Sequence, residues 1–167
     1  AGKAAIINPR PGVPLAALGM LGLPGFYDGF HPGYVDHHGL LSAASTGLLL
    51  GAVFMGTPWL PAGGSAPGRR WDAVVSAACG AVGMWLSAAS TIPAMVLAGV
   101  GGVATGWLSP PAPPGQPPAL WRLWGRVGAV LCVFFYALEY LPGHAGWRLE
   151  VNHPLYALAW WGGAECV

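Results

Sequence analysis

The chain of 167 residues is 54% hydrophobic and only 8% charged, whereas about a quarter of the residues in an ordinary soluble domain carry a charge. Its mean hydropathy is +0.54, its formal net charge is +1, and Arg69-Arg70 is its only adjacent basic pair. This composition predicts an all-α integral membrane protein. It also excludes nucleic acid as a partner, because no basic surface is present to neutralise phosphates.

The first 36 residues are rich in glycine and proline, including Pro9-Arg10-Pro11-Gly12, and such a composition favours an irregular backbone. The apolar stretch Val13–Leu23 is too short to cross a bilayer and is expected to lie along the interface. The aromatic, turn-rich segment Gly25–Phe30 is typical of headgroup level. Residues 1–36 are therefore predicted to form an N-terminal docking arm.

The first membrane span is predicted over residues 39–60. This stretch of 22 residues has no charged side chain, and at about 1.5 Å per residue it covers the ~30 Å hydrocarbon core. Asp36 is placed to cap the helix, and Trp59-Leu60-Pro61 supplies an interfacial ring and a stop.

The apolar run Ala73–Leu108 predicts either a helical hairpin or one very long tilted helix, because 36 residues would make a helix of about 54 Å. Thr91-Ile92-Pro93 favours the hairpin, with Ser90 or Thr91 capping a new helix that has Pro93 in its first turn. The predicted arms are residues 73–89 and 92–108. The hexapeptide LSAAST begins at Leu41 and again at Leu86, and the two copies are predicted to be helix interior and turn, respectively.

The charge distribution also favours the hairpin. In a hairpin, Arg69-Arg70 before the run and Arg122 and Arg126 after it share one side of the membrane, as the positive-inside rule predicts. In a single span they would face opposite sides. Four transmembrane helices are therefore predicted, with three as the alternative.

The segment Ser109–Leu120 has six prolines in twelve residues and predicts a semi-rigid, polyproline-like connector. The last span is predicted over residues 126–141, which end at Tyr140-Leu141-Pro142. The transmembrane domain thus covers residues 37–142, and residues 143–167 are predicted to form a short amphipathic, interfacial C-terminal tail.

Small residues recur at every fourth position in two of the predicted spans. Such stripes allow helix backbones to approach closely, and they are interpreted either as packing within this chain or as contact with a partner subunit or a flat pigment ring. The stripes are Ala43, Gly47 and Gly51 in the first span, and Ser90, Ala94, Ala98, Gly102 and Gly106 in the third.

Five polar residues are the candidates for binding a cofactor: His37, His38, Glu139, Asn152 and His153. Adjacent His37 and His38 are expected to point in different directions on a helix, so no dedicated metal ion is expected. Axial ligation of a chlorophyll magnesium or a haem iron needs only one imidazole. The alternative is that these are interfacial histidines, bonded to headgroups or partners. Glu139 lies near a membrane end and is a candidate by its ionisable character.

No set of residues predicts catalysis. The chain lacks Gly-x-Ser-x-Gly, His-Glu-x-x-His and a phosphate-binding glycine loop. Ionisable residues do not step through the predicted spans, which argues against a proton pump or transporter. The chain is predicted not to be an enzyme.

Two local resemblances concern photosynthetic proteins. The segment LEVNHPLYAL, Leu149–Leu158, resembles the pigment-binding helix of light-harvesting antenna proteins. Pro154-Leu155 stands where that family has Gly-Arg, and the inter-helix ion pair of the antenna fold is then missing, so the chain is not a member. Gly39–Ala43 and Phe134–Leu141 are similar to the middle and last spans of photosystem I reaction-centre subunit XI, which implies a photosynthetic setting.

Together these features predict a non-catalytic accessory subunit of a large photosynthetic membrane complex of the photosystem I type, located in the chloroplast thylakoid. It would stabilise assembly and hold chlorophyll or carotenoid, and its partners would be other membrane subunits, lipids and pigments. One alternative is an accessory subunit of a respiratory complex in the mitochondrial inner membrane. The other is a small membrane enzyme or carrier that works through Glu139 and the histidines.

Overall fold

The computed structural model describes residues 37–56, 66–108, 119–141, 143 and 152–165. Over these residues the chain is all-helical, as predicted, and has no strand. The predicted docking arm, residues 1–36, lies outside the described residues. Five helices follow in chain order: α1 His38–Gly56, α2 Ala66–Leu86, α3 Ala88–Leu108, α4 Ala119–Tyr140 and α5 Pro154–Glu165.

Close contact between small residues joins α1 to α2. A Cβ added to Gly47 would lie 2.5 Å from Cys79 Sγ, and one added to Gly51 would lie 2.6 Å from Ser76 Cβ. Since Gly51 follows Gly47 whereas Ser76 precedes Cys79, the two helices are antiparallel. The glycines of the first predicted stripe therefore serve packing within this chain.

A single residue, Ser87, separates α2 from α3. Its backbone N–H donates to Gly83 O (2.8 Å) at the end of α2, and its carbonyl accepts from Thr91 N–H (3.1 Å) at the start of α3. Its Oγ accepts from Ser90 N–H at 3.4 Å, which is the bonding pattern of a serine N-cap. The structure thus places the break three to four residues before the predicted cap at Ser90 or Thr91, because Ser87 supplies the cap.

Pro93 does not break the helix. It lies inside α3, in the second turn, where its missing N–H leaves only one carbonyl without an intrahelical partner.

The helix α3 folds back beside α2 instead of continuing it. A Cβ on Gly83 would lie 2.8 Å from Thr91 Oγ1, although residues eight apart in one straight helix are about 12 Å apart. Further along α3, a Cβ on Gly102 would lie 2.8 Å from the ring of Trp121, in the first turn of α4. The end of α3 therefore lies near the start of α4, as a hairpin requires.

The fully buried Ser76 joins three helices. Its Oγ donates to Leu48 O of α1 at 2.7 Å and accepts from Trp124 Nε1 of α4 at 3.0 Å. Later in both helices, Trp85 stacks on Phe135 with ring centroids 4.9 Å apart, so α2 and α4 run parallel. Both helices begin at the same end of the bundle, which places the two arginine pairs of the sequence there.

The C-terminal helix α5 runs antiparallel to α4 and covers its first half. Asn152 Nδ2 donates to Cys132 O at 2.9 Å, and Glu165 pairs with Arg122 near the start of α4. Asn152 thus lies level with the middle of α4. Cys132 is nine residues before Leu141, so the start of α5 lies about 13 Å back along α4 from the end of that helix.

The prediction of an amphipathic tail is wrong for this helix. The sequence of α5, PLYALAWWGGAE, is apolar on every face until Glu165. The helix buries Ala157, Trp160 and Ala164, and the six-membered ring of Trp160 lies between Gly80 of α2 and Gly128 of α4. A slot between glycines, which are far apart in the sequence, therefore holds α5 on the bundle.

Two of the helices are long and apolar enough to cross a membrane. They are α1 over His38–Met55 and α4 over Leu120–Tyr140, judged by length and composition. The helix α3 has a shorter apolar segment, Ala88–Ala104. These helices support an association with a membrane.

Replacing Ser76 with alanine is expected to destabilise the bundle. The substitution leaves the buried Trp124 Nε1 without its acceptor, which costs about 1–3 kcal/mol. Thermal unfolding in detergent measures the effect as a lower Tm. The matched control is Ser42→Ala, because Ser42 is an exposed serine of α1 and such surface changes stay within about 0.5 kcal/mol. Equal Tm values for the two variants would contradict a central role for Ser76.

Candidate functional site

The described residues form an apolar groove of about 610 Å³, and its size is within the range of ligand pockets. One wall of the groove is α3, and the other is α4 with α5. Met84 of α2 lies at one end of the groove, the upper end, and Trp121 of α4 lies at the other, the lower end. The lining residues are Met84, Ile92, Met95, Val96, Gly99, Val100, Val103, Ala104, Trp107, Trp121, Trp124, Tyr156, Ala159, Trp160, Gly163 and Ala164.

Tryptophans build the wall opposite α3. Trp121 and Trp124 meet edge to face at 5.6 Å, and Trp124 and Trp160 do the same at 4.9 Å. Such pairs are stabilising beyond the area they bury. At the lower end, the ring of Trp121 reaches across to Gly102 of α3. Ring packing therefore fixes the wall formed by α4 and α5, and the Trp121 ring separates this wall from α3 at the lower end.

Two glycines of the lining leave space beside the backbone. A Cβ added to Gly99 of α3 or to Gly163 of α5 would meet nothing within 4 Å. The lining side chains Val96, Val100 and Trp107 are exposed, so the groove is open along α3. A molecule in the groove could contact the backbone of both helices.

The groove offers packing surface and almost no polar chemistry. Its polar side-chain atoms are the indole nitrogens and the hydroxyl of Tyr156, and Trp124 Nε1 already donates to Ser76. Trp160 Nε1 is buried and has no hydrogen-bond partner among the described residues. The lining thus suits an apolar molecule and has no nucleophile or general base.

Asn152 and His153 are buried and serve the fold. Asn152 is 1% exposed, with Nδ2 on Cys132 O, and its Oδ1 has no partner among the described residues. His153 is 7% exposed, and its Nδ1 accepts from Leu155 N–H at 3.1 Å, which caps α5. Its ring meets Tyr136 edge to face. Neither side chain offers an open face to a macrocycle, so the pair does not fit axial ligation.

Glu139 is exposed and bonded to α2. Its Oε2 accepts from Trp85 Nε1 at 2.7 Å, and the Trp85 ring is stacked on Phe135. Within the described ranges, Glu139 fixes the ends of two parallel helices to each other.

His37 and His38 are exposed at the start of α1. Their rings stack with centroids 4.8 Å apart and an interplanar angle of 20°. The prediction that they point in different directions is wrong, because His37 precedes the helix and is free of its 100° rotation per residue. No three His, Cys, Asp or Glu side chains come together as a metal site in the part of the chain that the structure describes.

The sequence prediction missed a charged cluster at the lower end of the groove. Glu165 of α5 pairs with Arg122 Nε (3.0 Å) and with Arg126 Nη2 (3.1 Å). The groove residues Trp121 and Ala164 directly precede Arg122 and Glu165 in the sequence. The spacing of four between the arginines does indicate a shared helix face, but nothing in the sequence shows that the C-terminal glutamate reaches it.

Comparison of the chain with known protein families, with curated proteins and with solved structures finds no match.

Adding one methyl group at Gly128 is expected to displace Trp160. A Cβ there would overlap the indole ring, and overpacking of this kind costs about 1–3 kcal/mol. Gly128→Ala should lower the Tm in detergent and expose Trp160 to a soluble fluorescence quencher. The matched control is Gly162→Ala, where a Cβ meets nothing within 4 Å and helix propensity favours alanine by about 1 kcal/mol. A Gly128→Ala protein as stable as the control would contradict the glycine slot.

Proposed function

We propose that this chain is a non-catalytic, membrane-embedded accessory subunit of a large membrane complex. In this proposal α1 to α4 cross the bilayer, and α5 is a half-length helix that begins near mid-depth. The observation that carries the proposal is the apolar outer surface. Large hydrophobic side chains are exposed on all five helices, and exposed apolar surface on this scale is typical of contact with a membrane or a partner.

The distribution of charge supports the same proposal. No charged residue occurs between Ala73 and Trp121 or between Val127 and Leu138. The arginines of α2 and α4 share one end of the bundle, as positive-inside topology requires. The stacked histidines and Glu139 belong to the opposite end, since α1 is antiparallel to α2.

We further propose that the complex is photosynthetic and of the photosystem I type. What favours this setting is the local resemblance of Gly39–Ala43 and Phe134–Leu141 to the reaction-centre subunit. Exposed His37 and His38 are then the residues that would hold the magnesium of chlorophyll, which supplies light absorption when bound. The alternatives are an accessory subunit of a mitochondrial respiratory complex and a small membrane enzyme or carrier that works through Glu139 and the histidines.

The proposed topology is testable by cysteine labelling. In a variant in which Cys79, Cys132 and Cys166 are replaced by alanine, single cysteines are placed at Gly64, Gly115 and Gly143. A membrane-impermeant maleimide applied to sealed vesicles should label Gly64→Cys and Gly115→Cys from the same side, and Gly143→Cys from the opposite side. Labelling of the first two from opposite sides would instead establish the three-span alternative.

The proposed setting is testable by co-purification in mild detergent. The chain should migrate with a photosystem and carry a red-absorbing pigment, and His37→Phe or His38→Phe should reduce the pigment bound per chain. His153→Phe is the comparison, because His153 is buried and caps α5, so its substitution should lower the Tm before it lowers the pigment content. A colourless chain that migrates alone would overturn the proposal, and migration with a respiratory complex would establish that alternative.

A further inference from the structure

We propose that the groove between α3 and the α4–α5 pair binds an acyl chain of an anionic membrane lipid, whose headgroup lies at the Arg122–Glu165 end. The inference rests on the proposed membrane location and adds a ligand to it. Its basis is the juxtaposition of an open apolar groove with a positively charged cluster at one end.

The groove cannot stay empty inside a bilayer. Its lining is mainly hydrocarbon and aromatic, so water finds few hydrogen-bond partners there, and unfilled space forfeits dispersion contacts of the lining atoms. The open backbone at Gly99 and Gly163 lets a slender, flexible chain lie against both walls. An acyl chain has this shape, and the opening along α3 gives it an entry from the surrounding lipid.

Charge selects the class of lipid and its direction. At the arginine end of the bundle, the described charged residues are Arg70, Arg122 and Arg126 with Asp72 and Glu165, so arginines outnumber carboxylates by three to two. The side chain of Arg122 is 45% exposed and that of Arg126 is 58% exposed although both pair with Glu165. Arginine binds phosphate oxygens well, and basic pockets beside membrane helices bind anionic headgroups.

At the opposite end of the bundle, the described residues include no arginine or lysine. They include the carboxylate of Glu139, which accepts from Trp85 Nε1, and the stacked imidazoles of His37 and His38. An anionic lipid therefore has one favourable orientation, with its phosphate near Arg122 and its chain running past Trp121 towards Met84.

The test uses the full chain, delipidated in detergent, and its tryptophan fluorescence. Phosphatidylglycerol and phosphatidylcholine with identical brominated acyl chains are titrated separately, because bromine quenches tryptophan on contact. Phosphatidylglycerol should quench at a several-fold lower concentration. Arg122→Gln should remove most of this preference, while Arg126 still pairs with Glu165 and keeps α5 in place. Equal quenching by both lipids in the unaltered chain would overturn the proposal.

Glycine pairs on the same helices provide matched controls. Gly99→Leu with Gly163→Leu fills the groove, and quenching should then require a several-fold higher lipid concentration. Gly101→Leu with Gly162→Leu adds the same side chains where a Cβ also meets nothing within 4 Å but outside the groove, and should leave the titration unchanged. The same shift in both double variants would overturn the site.

Native mass spectrometry of the chain before delipidation identifies the occupant directly. A phospholipid adduct that the groove-filling variant loses supports the proposal, whereas a pigment adduct lost in the same way would overturn it. Detergent phase separation distinguishes the two proposals from each other. A chain in the aqueous phase overturns both the membrane location and the lipid, and a detergent-phase chain without lipid selectivity overturns the lipid site alone.

Discussion

The small size of the buried side chains of α2 is the constraint on which the bundle depends. A helix in contact with α1, α3 and α4 can be central only if its backbone lies close to theirs, and bulky side chains would prevent this. Contact between small residues gives little hydrophobic stabilisation, so the hydrogen bonds of Ser76 to Leu48 O and Trp124 Nε1 fix which faces meet. The buried residues of α2 are Ala73, Ser76, Ala77, Gly80, Ala81, Gly83 and Met84.

The groove is a consequence of the same packing. Gly80 and Gly128 leave a slot that Trp160 fills, and this anchors α5 along α4. The α5 helix then occupies the flank of α4 that α3 would otherwise contact. Since α3 turns back through only one non-helical residue, Ser87, it diverges from α4, and the Trp121 ring bridges the distance at the far end. The packing of α5 on α4 and of α3 beside α2 therefore leaves the apolar groove between α3 and the α4–α5 pair.

Helix content was predictable from the sequence because it follows from apolar run length, and the hairpin followed from length and charge. The position of the break between α2 and α3 could not be predicted in this way. The hexapeptide LSAAST is helical throughout in α1, where Thr46 Oγ1 bonds back to Ser42 O, yet its second copy contains the break at Ser87. The difference lies in tertiary contacts such as Gly83 with Thr91, which local propensity does not encode. The positions of Trp160 and of the Glu165 cluster depend on contacts between residues more than 30 apart in the sequence. The groove could therefore not be predicted from the sequence either.

The arrangement of polar groups favours binding over chemistry. Glu139 and Ser76 donate or accept within the bundle, while Asn152 and His153 fix the start of α5, so the polar residues of the described helices mostly hold helices together. What remains for an outside molecule is an apolar surface on every helix, a groove with an aromatic wall, and arginines at one end. A surface of this kind recognises hydrocarbon and the charge attached to it. The lining of the groove carries no carboxylate, imidazole or thiol, so its geometry favours the proposed structural, lipid-binding role over a carrier that uses Glu139 and the histidines.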